Sequence, residues 1–174
     1  VGVYGGIGPG QITTDAVNGW QREDLATVTA GIYGSWVPTD SQAYVAGFLN
    51  GGYQDINRVR SINIEAVGID RTATSSNDSW SLAVGGELGL NLEAGEATTL
   101  QPYVGVGWAQ YWGGSYSENG ADSLDLQVDS QSANQWQPTL GARLLQEFKI
   151  GRDILTPYIG AAFLAQLPVD AGWT

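Results

Sequence analysis

The sequence predicts an all-β protein, an antiparallel up-and-down meander that supplies about 7–8 strands of a transmembrane β-barrel. Three observations lead to this fold class: apolar residues recur with a period of two, the links between segments alternate long and short, and charge is scarce. The 174 residues include only 7 basic and 18 acidic side chains, or 14%, against roughly 25% in ordinary soluble proteins. Such a chain has too few charged groups to cover a soluble surface.

The period of two is clearest between Ser79 and Leu92. Apart from Gly86, even positions carry Trp, Leu and Val, whereas odd positions carry Ser, Ala, Gly, Glu and Asn. Side chains alternate between the two faces of a strand, so one face is apolar and the other small and polar. Similar alternation predicts strands at Ala26–Val37, Ala43–Gln54, Leu100–Trp112, Trp136–Phe148 and Leu155–Gln166, and Val1–Gly8 is interpreted as the end of an earlier strand.

Two of these strands begin with the same plan, LQPYVGVGW at Leu100–Trp108 and LTPYIGAAF at Leu155–Phe163. Proline near a strand start is tolerated because a missing N–H matters least there. Tyrosine and glycine share the polar face. We expect glycine to leave room for a neighbouring ring and to allow the curvature that a closed sheet needs.

The links between strands are sorted by length. In a meander, strict alternation places every long link at one end and every short link at the other, as in outer-membrane barrels. We expect the long links to be solvated loops. A cation site in their acidic stretches is the less favoured alternative. The long links are Pro9–Asp24, Asp55–Asp78 and Gly113–Gln135, and the short ones are Pro38–Ser41, Glu93–Thr98 and Lys149–Asp153.

Aromatic residues of the apolar face gather near the strand ends, as expected at the two interfaces of a membrane. Trp36 and Phe148 lie near short links. Near the long links lie Tyr53, Trp80, Trp112 and Trp136.

Composition excludes several functions. A formal charge of −11 argues against a nucleic-acid partner, because phosphate binding needs basic patches. The chain has neither His nor Cys, which removes Ser-His-Asp and thiolate catalysis and most zinc sites. We expect no enzyme activity, cofactor or metal. The sequence shows no signal peptide or lipidation motif and no run of about 18 apolar residues.

The two faces receive opposite assignments in the membrane interpretation. The apolar face meets lipid and includes Trp36, Trp80, Leu82, Val84, Leu88, Leu90, Val104, Val106, Trp108, Leu140, Ile159 and Phe163. The polar face lines the lumen and includes Thr27, Tyr33, Glu87, Tyr103, Gly105, Gly107, Arg143, Tyr158 and Gly160. In the alternative, a soluble ligand-binding barrel or sandwich, the apolar face would form a dry core.

The stretch Leu100–Phe163 resembles the C-terminal translocator barrel of bacterial autotransporters, the type V secretion proteins. The resemblance is carried by L-x-P-Y, then SYSENGA, LDLQVDSQSA and LGARL, a short turn, and LTPY. It implies a location in the bacterial outer membrane, where the barrel anchors an upstream passenger of the same chain and allows its export. The implied partners are outer-membrane lipid, that passenger and the outer-membrane barrel assembly machinery.

The chain departs from the family pattern in three ways. That barrel has twelve strands, a helix threaded through its pore and usually an aromatic C-terminal residue, whereas this chain offers about seven strands, no helical segment before Val1, and ends Trp173-Thr174. Seven strands would also put the termini at opposite ends, although bacterial barrels have even counts. We therefore expect residues 1–174 to form one partial barrel domain, an internal piece of the whole.

Some members of the family cleave their passenger inside the pore with lumen acids. Glu87 and Glu147 are weak candidates for that role, and Glu87 and Arg143 could contact a pore helix. The competing function is a porin or adhesin-type outer-membrane barrel without a passenger.

Overall fold

A computed structural model describes residues 1–169; the terminal Trp173 and Thr174 lie outside the described part. The strands are β1 Gly2–Ala16, β2 Gly19–Trp36, β3 Ala43–Ile64, β4 Ile69–Leu90, β5 Leu92–Gly95, β6 Thr98–Gly113, β7 Tyr116–Ser117, β8 Gln127–Val128, β9 Gln131–Gln146, β10 Phe148–Ile150, β11 Asp153–Leu155, β12 Tyr158–Leu164 and β13 Leu167–Val169. Seven of them form one curved antiparallel sheet, a half-barrel, in the order β1-β2-β3-β4-β6-β9-β12. The predicted meander of seven strands is confirmed.

Two of the short strands extend this sheet, and the other four form two separate hairpins. β5 pairs with β6, β13 pairs with β9, and two further hairpins join β7 to β8 and β10 to β11. Single 3-10 turns occupy Glu65–Val67 and Asp122–Leu124. Within residues 1–169, none of the helical segments is long and apolar enough to cross a bilayer.

Two of the three links expected to be loops are strand instead. β1 and β2 continue to a turn at Val17–Asn18, and β3 and β4 pair without a break from Ala43↔Leu90 to Ile64↔Ile69. The prediction failed because the apolar alternation fades in these segments, whereas backbone pairing needs no apolar side chain. Beyond Gln54↔Ser79 the β3–β4 hairpin continues for roughly 30 Å at about 3.3 Å per residue.

The third long link is built only in part as a loop. Its start continues alongside β4, where Thr74 and Asn119 exchange two backbone hydrogen bonds of 2.9 Å. Ser79 pairs with Gly113 and Thr74 pairs with Asn119, so the link has one more residue than β4 between these two pairs. The extra residue is a β-bulge. The link then reverses through the turn at Asp122–Leu124, and β7 and β8 form its two arms.

Three of the four aromatic residues predicted near the long links form one row across adjacent strands; the fourth, Trp136, pairs with Trp108 and lies outside the row. Tyr53 pairs with Trp80, and Trp80 pairs with Trp112. The rings of Tyr53 and Trp80 are 4.8 Å apart between centroids. Such a row is typical of the girdle at a membrane interface.

Glycines on the polar face receive aromatic rings from neighbouring strands, as predicted. A Cβ added at any of these glycines would lie no more than 2.6 Å from a ring atom, so no larger residue fits without moving the ring. The pairs are Gly2 with Tyr33, Gly31 with Tyr4, Gly85 with Phe48, Gly89 with Tyr44 and Gly141 with Tyr103. Phe48 is an apolar residue at a polar-face position, which interrupts the alternation of its strand. Its packing over Gly85 explains why an aromatic ring is placed there.

This packing predicts that Gly141→Ala destabilises the barrel by about 1–3 kcal/mol, because the new methyl would meet both the Tyr103 ring and the Ala161 carbonyl oxygen. Gly8→Ala is the matched control, since a Cβ there has nothing within 4 Å. Urea unfolding of the full-length barrel in micelles measures both variants. Equal stability of the two would contradict the packing explanation.

Candidate functional site

A groove runs along the polar face, on the concave side of the sheet. Its walls come from β2, β3, β4, β6 and β9, and it contains six of the nine residues assigned to a lumen from the sequence. These six are Tyr33, Glu87, Tyr103, Gly105, Gly107 and Arg143, and Phe48, Gln137 and Thr139 also line the groove.

An ion pair crosses the middle of the groove. Arg143 donates two hydrogen bonds of 2.6 Å to the two carboxylate oxygens of Glu87. The Tyr44 hydroxyl donates a further bond of 2.6 Å to Glu87, and the Arg143 guanidinium lies 4.0 Å from the centroid of the Tyr103 ring. Bidentate geometry with stacking fixes both side chains more firmly than a single contact would.

Strand register explains how these residues meet although β6 lies between β4 and β9. Glu87 stands opposite Gly105 of β6, which has no side chain to block the space between the charges. Gly160 clears the other side, because a Cβ there would lie 3.2 Å from Cγ of Arg143. Side chains converge on the concave face of a curved sheet and diverge on the convex face. Because Glu87 and Arg143 meet across β6, the groove lies on the concave side.

The remaining polar-face residues lie outside the groove wall. Thr27 accepts a 3.1 Å hydrogen bond from Gln54, and Tyr158 is largely exposed on β12, the last strand of the main sheet. Glu147 is exposed between β9 and β10, where its backbone N–H donates to the Ala97 carbonyl, so it does not join Glu87.

The opposite, convex face is covered by no other part of residues 1–169. Leu88 is 54% exposed, Val104 52% and Ile159 73%, although side chains of this kind are normally buried in a soluble protein. Trp36, Trp80, Val84, Leu90, Val106, Leu140 and Phe163 are also exposed, whereas Leu82 and Trp108 are half-buried.

A second polar cluster lies beyond the aromatic row, at the long-link end. Arg60 forms a bidentate pair with Glu118, through Nε at 3.0 Å and also through Nη2. The Glu118 side chain is only 5% exposed, and it also accepts a 3.0 Å bond from the Leu126 N–H. Nearby, Arg58 pairs with Glu23 at 3.0 Å and lies over the Tyr116 ring.

This second cluster was not predicted from the sequence because its partners are far apart in the chain; Arg60 and Glu118 are separated by 58 positions. One signal was available. Arg58 and Arg60 are two residues apart, and so are Tyr116 and Glu118, as expected for two strands that turn one face toward each other.

The central ion pair predicts a stability difference. Arg143→Gln should destabilise the barrel by about 1–3 kcal/mol, because the largely covered Glu87 carboxylate loses its cation. Adding Glu87→Gln should restore part of the loss. Arg22→Gln is the control, since the Arg22–Asp24 pair is about half exposed and should change stability by about 0–1 kcal/mol. Urea unfolding would contradict the account if the double variant were no better than Arg143→Gln.

The second cluster predicts a pH dependence. Hydrogen bonds from Arg60, and then from the Leu126 N–H, hold the pKa of Glu118 below its ordinary value near 4.5. The stabilisation is therefore complete above that ordinary pKa, which the unfolded chain shows, and is lost as pH falls through the lower folded pKa. An NMR titration of the Glu118 carboxyl carbon should give a midpoint below 4.5 that Arg60→Gln raises and Arg22→Gln leaves unchanged. A midpoint unaffected by Arg60→Gln would contradict this assignment.

Comparison with known proteins gives one family. The family model described as autotransporter beta-domain matches residues 1–168. Searches of curated proteins and of solved structures found no match. The family model covers nearly all of the chain and agrees with the antiparallel half-barrel, its apolar convex face and its polar groove. The chain thus belongs to the autotransporter β-domain family, whose members are translocator barrels of the bacterial outer membrane.

Proposed function

We propose that this chain is the membrane wall through which an upstream passenger domain of the same polypeptide is exported and then anchored. The observation that carries the proposal is the opposite polarity of the two sheet faces within a family of outer-membrane translocators. The convex face would contact lipid, and the groove around Glu87 and Arg143 would line the pore.

The extent of the apolar face fits this role. From Val28, which pairs with Tyr53, to Trp36 the strand rises roughly 26 Å at about 3.3 Å per residue. Tilted by about 40°, this segment spans roughly 20 Å, close to the apolar band of about 25 Å in outer-membrane barrels. The aromatic row and Trp36 would then lie at opposite membrane interfaces.

The groove is suited to a passive wall. Its central charges neutralise each other, and its other lining groups are mainly Gly, aromatic, Thr and Gln. A passing polypeptide would therefore meet few fixed charges. The Glu87 carboxylate is fully engaged by Arg143 and Tyr44, which favours a structural role over passenger cleavage.

Assembly into the membrane would require the outer-membrane barrel assembly machinery. This part of the proposal is supported by the backbone: a β-sheet can lie in hydrocarbon only when its edge strands are paired in a closed ring. The outer edges of β1 and β12 are free of partners within residues 1–169. A passenger-free porin-like barrel would share the wall but export nothing.

Passenger export is tested with the full-length protein carrying an epitope tag upstream of Val1. Protease added to intact cells should remove the tag, because the passenger reaches the cell surface. A tag protected from protease until the cells are lysed would overturn the export function and favour the passenger-free barrel.

A matched pair of charge insertions tests the face assignment in the same cells. Leu140→Arg should abolish surface display, because an arginine on the lipid face costs about 2–4 kcal/mol near the bilayer midplane. Gln137→Arg, three residues earlier on the polar face, should assemble normally. The reverse result would contradict the orientation.

A further inference from the structure

The tip of the third long link, Gly120–Leu126, folds back onto the sheet instead of extending into solvent. Ala121 of this tip is 0% exposed and packs with Ala73 and Ile62, which are 1% and 8% exposed. Leu124 packs against the same cluster. A small dry core therefore exists beyond the aromatic row, where the membrane ends.

Two arginines fasten this tip through its backbone. Arg60 donates a 2.9 Å hydrogen bond to the Leu124 carbonyl, and Arg71 donates a 2.7 Å bond to the Ala121 carbonyl. Arg71 also lies 3.3 Å from the Asp122 carboxylate. Together with the Arg60–Glu118 pair, these contacts hold the tip and the β7 arm that leads into it.

Backbone contact adds to this attachment. Gly120 has φ +110°, and a Cβ there would lie 2.5 Å from the Thr72 carbonyl oxygen. Only glycine allows this approach. The preceding residue, Asn119, is held by the paired backbone bonds with Thr74.

The docked tip lies on the same face of the sheet as the groove. β3 and β4 pair without a register shift, and side chains on one face recur every two residues. Arg60 therefore shares its face with Tyr44, and Ala73 shares its face with Glu87. The tip sits on the lumen side of the β3–β4 extension, and the Thr74–Asn119 contact beside it lies about six residues, or roughly 20 Å, beyond Trp80 along β4.

We propose that Gly120–Leu126 is a docked lid that narrows the outer mouth of the pore and that Arg60 and Arg71 keep it closed. The proposal rests on the proposed function, because a mouth exists only if the concave face encloses a pore. Passage of a wide passenger would displace the lid, and the two arginines would return it afterwards.

Docking is tested in the full-length protein with a reporter cysteine, Ala121→Cys; residues 1–174 contain no other cysteine, and any cysteine elsewhere in the full-length chain is replaced by serine. A membrane-impermeant maleimide on intact cells should label it slowly, because position 121 is fully buried. Adding Arg60→Gln and Arg71→Gln should speed labelling by about tenfold or more, the effect of losing one charge-assisted hydrogen bond. Adding Arg22→Gln instead should leave the rate unchanged. Equal rates in all three would overturn the docking.

Closure of the mouth is tested by single-channel recording of the full-length protein in planar bilayers. Arg60→Gln with Arg71→Gln should increase the open fraction by about tenfold. Thr74→Cys with Asn119→Cys should lower it when oxidised and recover with reductant, since a hydrogen-bonded antiparallel pair has Cα atoms about 5.5 Å apart, within disulfide reach. Faster labelling without a change in open fraction in either variant would show a docked loop that is not a lid.

The epitope assay separates the two proposals. If the wild-type protein conducts ions but its tag stays inside the cell, the export proposal is contradicted. The lid proposal is then still tested by comparing the open fractions of the wild type and the arginine variants. If the tag reaches the cell surface but neither the arginine substitutions nor the disulfide changes the open fraction, only the lid proposal is contradicted.

Discussion

The structure depends on one constraint: a strand sends consecutive side chains to opposite faces, so an apolar convex surface forces a polar concave one. In hydrocarbon the backbone must be satisfied within the sheet, since no water is there to bond it. The strand pairing from β1 to β12 meets that demand everywhere except at the outer edges of these two strands, which are free within residues 1–169. Once the backbone is paired, side-chain chemistry is free to differ completely between faces, and the exposed Leu88 and Ile159 on one side oppose the Glu87–Arg143 pair on the other.

Small residues on the polar face make the curvature and the ion pair compatible. On the concave side of a bent sheet, side chains converge, so every second position must leave space for a neighbour. Glycines opposite Tyr33, Phe48 and Tyr103 provide it, and Gly105 lets two charges meet across a strand. The same feature explains why the chain has 25 glycines yet keeps long, unbroken strands.

Much of the membrane-level sheet could be predicted from the sequence because alternation there reflects two different solvents. Seven strands, their order and the packing of rings over glycines followed from that signal. The position of Phe48 on the polar face is explained by its packing over Gly85 of the neighbouring strand. Above the aromatic row the apolar residues of a strand are few and irregularly spaced, so the periodic signal is weak although pairing continues. The extensions of β1–β4 were not predicted for this reason. The second polar cluster was not predicted because the Arg60–Glu118 contact depends on how a distant link folds back.

The most direct test of the account is the environment of side chains on the two faces of the full-length barrel in lipid. Single cysteines introduced by Val104→Cys and by Thr139→Cys, on opposite faces of neighbouring strands, can carry a nitroxide label. Collision with dissolved oxygen should dominate at position 104, which meets lipid, and collision with a water-soluble nickel chelate should dominate at position 139, which meets the lumen. Nickel access at 104 combined with oxygen preference at 139 would contradict the orientation on which the proposed translocator wall depends.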